Sequence, residues 1–286
     1  MSQAHAKLIA SLKHDAEANT LEIPSLPEVV LRINAAIEKP EIGITEVARL
    51  IQLDPVLTAR LLKIANSPLY RRNLELIDVK YAIQRLGLRV TRNIVTSLVM
   101  HNIFKIQSNH LLSKVRELWQ HSCRVAAISQ VLARLTPGLQ ADRALLAGLL
   151  HDIGVLPVLV YADRYATSET ASVKLDEIIQ QMRVELGEKI LQQWQLGDDL
   201  CMVPSAAEDW QREHAGGVDY GDLVQVAQLH SYYGVVNSPS LPPLVEVPAF
   251  NKMSLASMGP HAGIELLAQA KNEITATIRM LNNQAS

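Results

Sequence analysis

The chain has 286 residues, with 27 Lys and Arg against 29 Asp and Glu and a formal charge of −2. That balance excludes a protein that coats nucleic acid or anionic membrane by bulk charge. Apolar residues at 48% exclude disorder for want of a core, and aromatics at only 4% leave that core to Leu, Ile, Val and Ala.

Met1 to Asn19 is polar and lacks an apolar run, so no signal peptide is expected. Thr45 is the expected cap of a helix through Val47, Leu50 and Ile51. Asp54-Pro55 combines a cap with proline at the first helical position, and that helix stops at Asn66-Ser67-Pro68. Asp78 caps Val79 to Leu86, with Gly87 as the stop, and a longer helix fits Leu88 to Ile106. Residues 56–92 are basic, with Glu75 and Asp78 the only acids among them. Arg71, Arg72, Arg85, Arg89 and Arg92 would there form a contact for an anion, RNA or an acidic partner, or else a solvated helical surface. Base stacking has little support, since Tyr70 and Tyr81 are the only aromatics in the segment.

Lys114 to Leu135 reads as one helix ended by Pro137-Gly138. Asp142 is the expected cap of the next, Arg143 to Leu150. The most apolar stretch is Ala144 to Ala162; His151 and Asp152 interrupt it and Pro157 follows, which argues for core rather than a membrane span. Lys174 to Met182 and Glu185 to Trp194 read as two segments, and Asp222 to Tyr233 as another. Asn237 to Gly263 holds five prolines and reads as an irregular excursion. Ile264 to Asn282 reads as a last helix, and no run shows the alternation of a strand. The expected class is all-α, with an N-terminal helical subdomain at 1–108, a helical core at 109–235, and the excursion plus final helix at 236–286.

The chemistry concentrates in Ala144-Leu-Leu-Ala-Gly-Leu-Leu-His-Asp-Ile-Gly154. A buried imidazole and carboxylate need partners, and both are suitable ligands for a divalent ion. Neighbours on a helix point about 100° apart, so further ligands must come from other helices. His121 is the first candidate, with Glu117 one turn earlier to orient it. The alternative is a buried hydrogen-bond cluster tying two helices together. Cys123 reads as a buried thiol, and two cysteines in all suit a reducing compartment.

These residues resemble the HD superfamily of metal-dependent phosphohydrolases, whose pattern is a histidine, a later His-Asp pair and a distant aspartate. His121, His151 and Asp152 match; Gln228 stands where the aspartate is expected, Asp222 lies on another face of that helix, and Val155 replaces a frequent lysine. Ile23-Pro-Ser-Leu-Pro-Glu-Val-Val30, Ile51 to Pro68, Ala82-Ile-Gln-Arg-Leu-Gly87 and Leu186 to Leu196 resemble the HDOD domain, the HD-related output domain of bacterial signalling. The resemblance spans about residues 20–215. A histidine frequent near Glu188, and a His-His pair expected around Ala206 to Trp210, are absent. The resemblance implies an all-helical regulatory module, usually without demonstrated hydrolase activity, with a signalling protein as the expected partner; composition points to the cytoplasm, and the stripe Ile264 to Leu281 either packs on its own domain or forms a homodimer. Any cofactor would be a divalent ion of Mn, Fe, Ni or Mg; nucleic acid is a secondary expectation and a membrane is not expected.

Overall fold

The computed structural model describes residues 3–18, 20–21, 24–37, 43–71, 75–104, 111–164, 175–232, 241–253 and 262–282. All regular structure among them is helical, as the sequence predicts. The first helices are α1 (Gln3–Glu17), α2 (Glu28–Ile37), α3 (Ile44–Gln52), α4 (Pro55–Ala65), α5 (Val79–Leu86) and α6 (Leu88–Val99). There follow α7 (Leu112–Ala133), α8 (Ala141–Leu150), α9 (Val155–Arg164) and α10 (Leu175–Gln193). The last six are α11 (Asp198–Cys201), α12 (Val203–Glu208), α13 (Tyr220–Ser231), α14 (Pro248–Lys252), α15 (Ala262–Gln269) and α16 (Lys271–Leu281).

Two compact units result. One joins Ser25–Ile103 to Ala276–Ser286; the other joins Met1–Pro24 to Phe104–Thr275. Although α1 is first in the chain, it therefore groups with the second of these.

In the unit of short helices, the caps decide the boundaries. Asp54 accepts from the backbone N–H of Val56 and Leu57 and Pro55 opens α4, while Asp78 accepts from Tyr81 to start α5. Asn66 ends α4 and its amide clasps Leu76 N and O, both at 2.8 Å. Thr45 is not a cap: Gly43 stands at that position without a side-chain bond, and Thr45 lies inside the first turn. α6 stops at Val99 and tightens into a 3-10 turn, Met100–Asn102, short of the expected end at Ile106, which lies outside the described residues. Its buried polar residues are satisfied from within. Thr91, Thr96 and Ser97 donate to the carbonyls four residues back.

The larger unit is built around α7, α8 and α13, which pack on one another. Gly148 lets α8 approach α7 closely, since a Cβ there would lie 2.7 Å from Ala126 Cα. α8 begins at Ala141 after Gln140, so Asp142 lies within its first turn and is buried rather than acting as the cap. α8 and α9 carry the apolar stretch Ala141–Arg164, 94% of whose most apolar window is buried inside the protein. That burial fits a core segment.

α10 runs unbroken through the boundary expected near residues 183–184, because no proline or capping turn interrupts it. Its face, with Ile178, Met182 and Leu186, packs with Val158 and Tyr161 against Ile9, Leu12 and Ala16 of α1. α1 is thus a core helix despite its polar composition. At the other end, Asp219 and Asp222 form a reciprocal capping box that starts α13. The proline-rich stretch is partly ordered core: Val247, Ala249, Phe250 and Met253 are buried, while 233–240 and 254–261 lie outside the described residues. The final helix is divided into α15 and α16 at Ala270.

Candidate functional site

α7 supplies His121, the turn after α8 supplies His151 and Asp152, α10 supplies Arg183, α12 supplies Glu208 and α13 supplies Gln228. All belong to the larger unit. His121 Nε2 and His151 Nε2 are 3.2 Å apart. Asp152 Oδ2 lies 3.3 Å from His151 Nε2 and 3.8 Å from His121 Nε2. The three are buried, and their donor atoms converge within 4.8 Å.

His151 Nδ1 lies 2.8 Å from Gly148 O, and only a protonated Nδ1 can donate to that carbonyl. The neutral ring therefore turns a bare Nε2 toward the cluster. Tyr232 stacks on the His121 ring with centroids 5.0 Å apart. Glu117 does not orient His121 as expected: Glu117 is exposed, and His121 Nδ1 is buried without a hydrogen-bond partner. Burial and the neighbouring His151 push His121 down to about 3. Burial also opposes charge on His151, but the Asp152 carboxylate outweighs it and raises His151. Burial would raise Asp152, yet His151 and Arg183 hold it below its ordinary value.

Arg183 Nη1 reaches Asp152 Oδ1 at 3.3 Å, and its other terminal nitrogen bonds Glu208. Burial raises the Glu208 pKa against the opposing Arg183. Gln228 is buried and its Oε1 has no partner. Sequence reasoning missed Arg183, Glu208 and Tyr232. Glu208 falls within the Ala206 to Trp210 stretch, where the only signal was an absent histidine pair.

The donor set fits a divalent ion at three positions. Two ligand edges of 3.2 and 3.3 Å match those about a tetrahedral ion with bonds of about 2.0–2.2 Å. Among the described residues no fourth His, Cys, Asp or Glu converges with these three. When bound, such an ion would supply polarisation of a phosphoryl oxygen and acidification of water.

Other candidates separate from this cluster. Cys123 is buried and burial pushes its thiol up, away from a reactive thiolate. Asp222 belongs to a second group, in which Arg212 Nη1 lies at 2.9 Å, His214 Nε2 at 2.8 Å and Lys252 Nζ at 3.6 Å. With Asp219 on Arg212 at 2.7 Å, two cations already balance two carboxylates there. Of the basic segment, Arg85 donates to Ala65 O at 3.2 Å and so helps close α4, and Arg92 is half-buried. Arg71 and Arg89 are exposed, and Arg72 lies outside the described residues.

His230 near the end of α13 gives a pH signature. Its Nε2 is buried without a partner, and burial lowers its pKa to about 4 from 6.5. The unfolded chain binds this proton first, so the stability it protects is complete above pH 6.5 and is lost as pH falls toward 4. Between pH 7 and 5 the loss is about 2 kcal/mol. Urea unfolding of His230→Leu should show a drop smaller than wild type by that amount; equal drops would contradict it.

The HDOD domain model matches residues 23–209. The structure superposes with TM-score 0.77 and 24% identity on a protein from Shewanella amazonensis SB2B provisionally named a metal-dependent phosphohydrolase, covering 97% of this chain and 100% of that one. An HDOD domain protein of unknown function from Geobacter sulfurreducens gives TM-score 0.65 and 23% identity, covering 96% and 99%. At these identities the likeness establishes the fold. An uncharacterized protein from Treponema pallidum (strain Nichols) is 31% identical over 138 residues, which are 46% of this chain and only 25% of that protein's length. The matched segment takes in the short helices, the His121–His151–Asp152 cluster and the Arg183–Glu208 pair, and so the chain belongs to the HDOD domain family.

Proposed function

We propose that this chain is a non-catalytic signal-transduction output module that acts through protein contacts. The observation that carries the reading is the company kept by Asp152. One oxygen faces the two histidines and the other faces Arg183, which also bonds Glu208. Activating water at neutral pH needs a tightly held dication, and a guanidinium bonded to one of the three ligands opposes it. The partner would be another signalling protein or a second copy of the chain. The two free cysteines, one buried, support a cytoplasmic setting.

A second reading has a specific observation in its favour. The converging Nε2, Nε2 and Oδ2 atoms support a metal-dependent phosphohydrolase acting on a nucleotide or phosphoester. Nucleotide or RNA binding through residues 56–92 is less favoured, because Arg60 and Arg85 are engaged by backbone carbonyls. A turnover screen separates the first two. Protein loaded with Mn²⁺, Fe²⁺, Ni²⁺ or Mg²⁺ should hydrolyse nucleotides, cyclic dinucleotides and bis(p-nitrophenyl) phosphate no faster than His151→Ala. Metal-dependent turnover lost in that variant would establish the hydrolase instead.

A further inference from the structure

We propose that Arg183 is the built-in cation of the His121–His151–Asp152 cluster, and that a divalent ion binds there only in competition with it. The inference rests on the functional reading above and extends it to the question of what keeps metal affinity low. The guanidinium comes from α10, outside the three candidate ligands, and bridges two carboxylates. One terminal nitrogen lies 3.3 Å from Asp152 Oδ1 and the other bonds Glu208. The side chains involved are enclosed, with 9% exposure for Asp152 and 23% for both Arg183 and Glu208.

Two acids in such a place require positive charge, because an unpaired buried carboxylate is costly. A permanently charged guanidinium meets that need, with one terminal nitrogen for each carboxylate. The same two acids would otherwise provide the negative field that draws in a dication. Arg183 therefore acts twice: it satisfies Asp152 on the oxygen away from the histidines, and its charge repels a second cation from Oδ2. His121 and His151 keep the shape of a donor set, while Arg183 sets its affinity.

The test is Mn²⁺ binding to the full chain by isothermal titration calorimetry. Arg183→Gln removes the charge and keeps a polar side chain. It should bind Mn²⁺ at least about tenfold more tightly than wild type, as expected for losing a full charge close to a dication. Adding His151→Ala to Arg183→Gln should abolish the gain. Affinity in Arg183→Gln equal to or weaker than wild type would overturn the proposal. Should that variant not fold by circular dichroism, Arg183→Lys and Glu208→Gln carry the test. Arg183→Lys keeps the charge and should stay near the wild-type affinity, whereas Glu208→Gln removes an anion and should weaken Mn²⁺ by about threefold or more. A tenfold gain in Arg183→Lys, or no change in Glu208→Gln, would overturn it. Hydrolysis by the wild type would remove the functional reading and leave the affinity comparison standing; an unchanged Arg183→Gln affinity does the reverse.

Discussion

Gly154→Ala should cost at least about 3 kcal/mol of stability, at the top of the range for overpacked cores. A Cβ at Gly154 would lie 1.9 Å from Arg183 O and 2.5 Å from Gly187 N. Both are backbone atoms of α10, so no side chain can swing aside. The helix would have to retreat, and Arg183 would leave Asp152 with it. The glycine that follows His151 and Asp152 is thus required by the approach of α10, and it fixes where the guanidinium sits. Chemical unfolding monitored by circular dichroism checks the expectation. A variant as stable as wild type would mean that α10 stands farther away than described.

Asp222→Ala should be comparably damaging, at about 3–5 kcal/mol, the range for breaking a buried ion pair by removing one partner. Asp222 is fully buried and its carboxylate faces Arg212, His214 and Lys252. It also closes the capping box of α13 by accepting from the Asp219 N–H. Truncation takes that carboxylate from His214 and Lys252, leaves Arg212 with Asp219 alone, and frees the N-cap N–H of that helix. The exposed pair of Glu46 and Arg49 is the internal control, since breaking a solvent-screened pair should leave stability nearly unchanged. Thermal and urea unfolding of both variants decide the matter; equal effects would show that the Asp222 cluster is solvated after all.

Local signals were legible where a side chain bonds its own backbone. Asp54, Asn66, Asp78 and Gly87 mark helix ends because the caps act within a few residues. Thr45 and Asp142 carried the same signal and failed, because the chain enters each helix one or two residues earlier and leaves them inside its first turn. α1 was invisible for another reason. Among the described side chains its buried apolar residues are Ile9, Leu12 and Ala16, and its reason to be helical is the α9–α10 surface it covers. The join of two expected segments into α10 was missed likewise, since Arg183 looks like a surface residue until Asp152 and Glu208 are placed beside it.

The site divides along the same line. His121, His151, Asp152 and Gln228 were named from adjacency and from the spacing of a known pattern. Arg183 and Glu208 meet them from two further stretches of chain, α10 and α12, and Tyr232 from the end of α13, with no motif of their own. A pattern built on ligands also cannot register a counter-ion, which is why the residue proposed to set the affinity was the least visible.

The discontinuous make-up of the short-helix unit bears on how the protein is born. Residues 25–103 leave the ribosome early, but the segment from Ala276 that completes the unit is among the last described to be made. At typical rates of translation the nascent helices would wait roughly ten to thirty seconds for it. During that interval Arg60 lacks the carbonyls of Met280 and Leu281 that it bonds in the finished fold. The exposed Ile77, Leu53, Val56 and Tyr81 belong to the same early segment. For that interval the unit lacks the C-terminal segment that completes it.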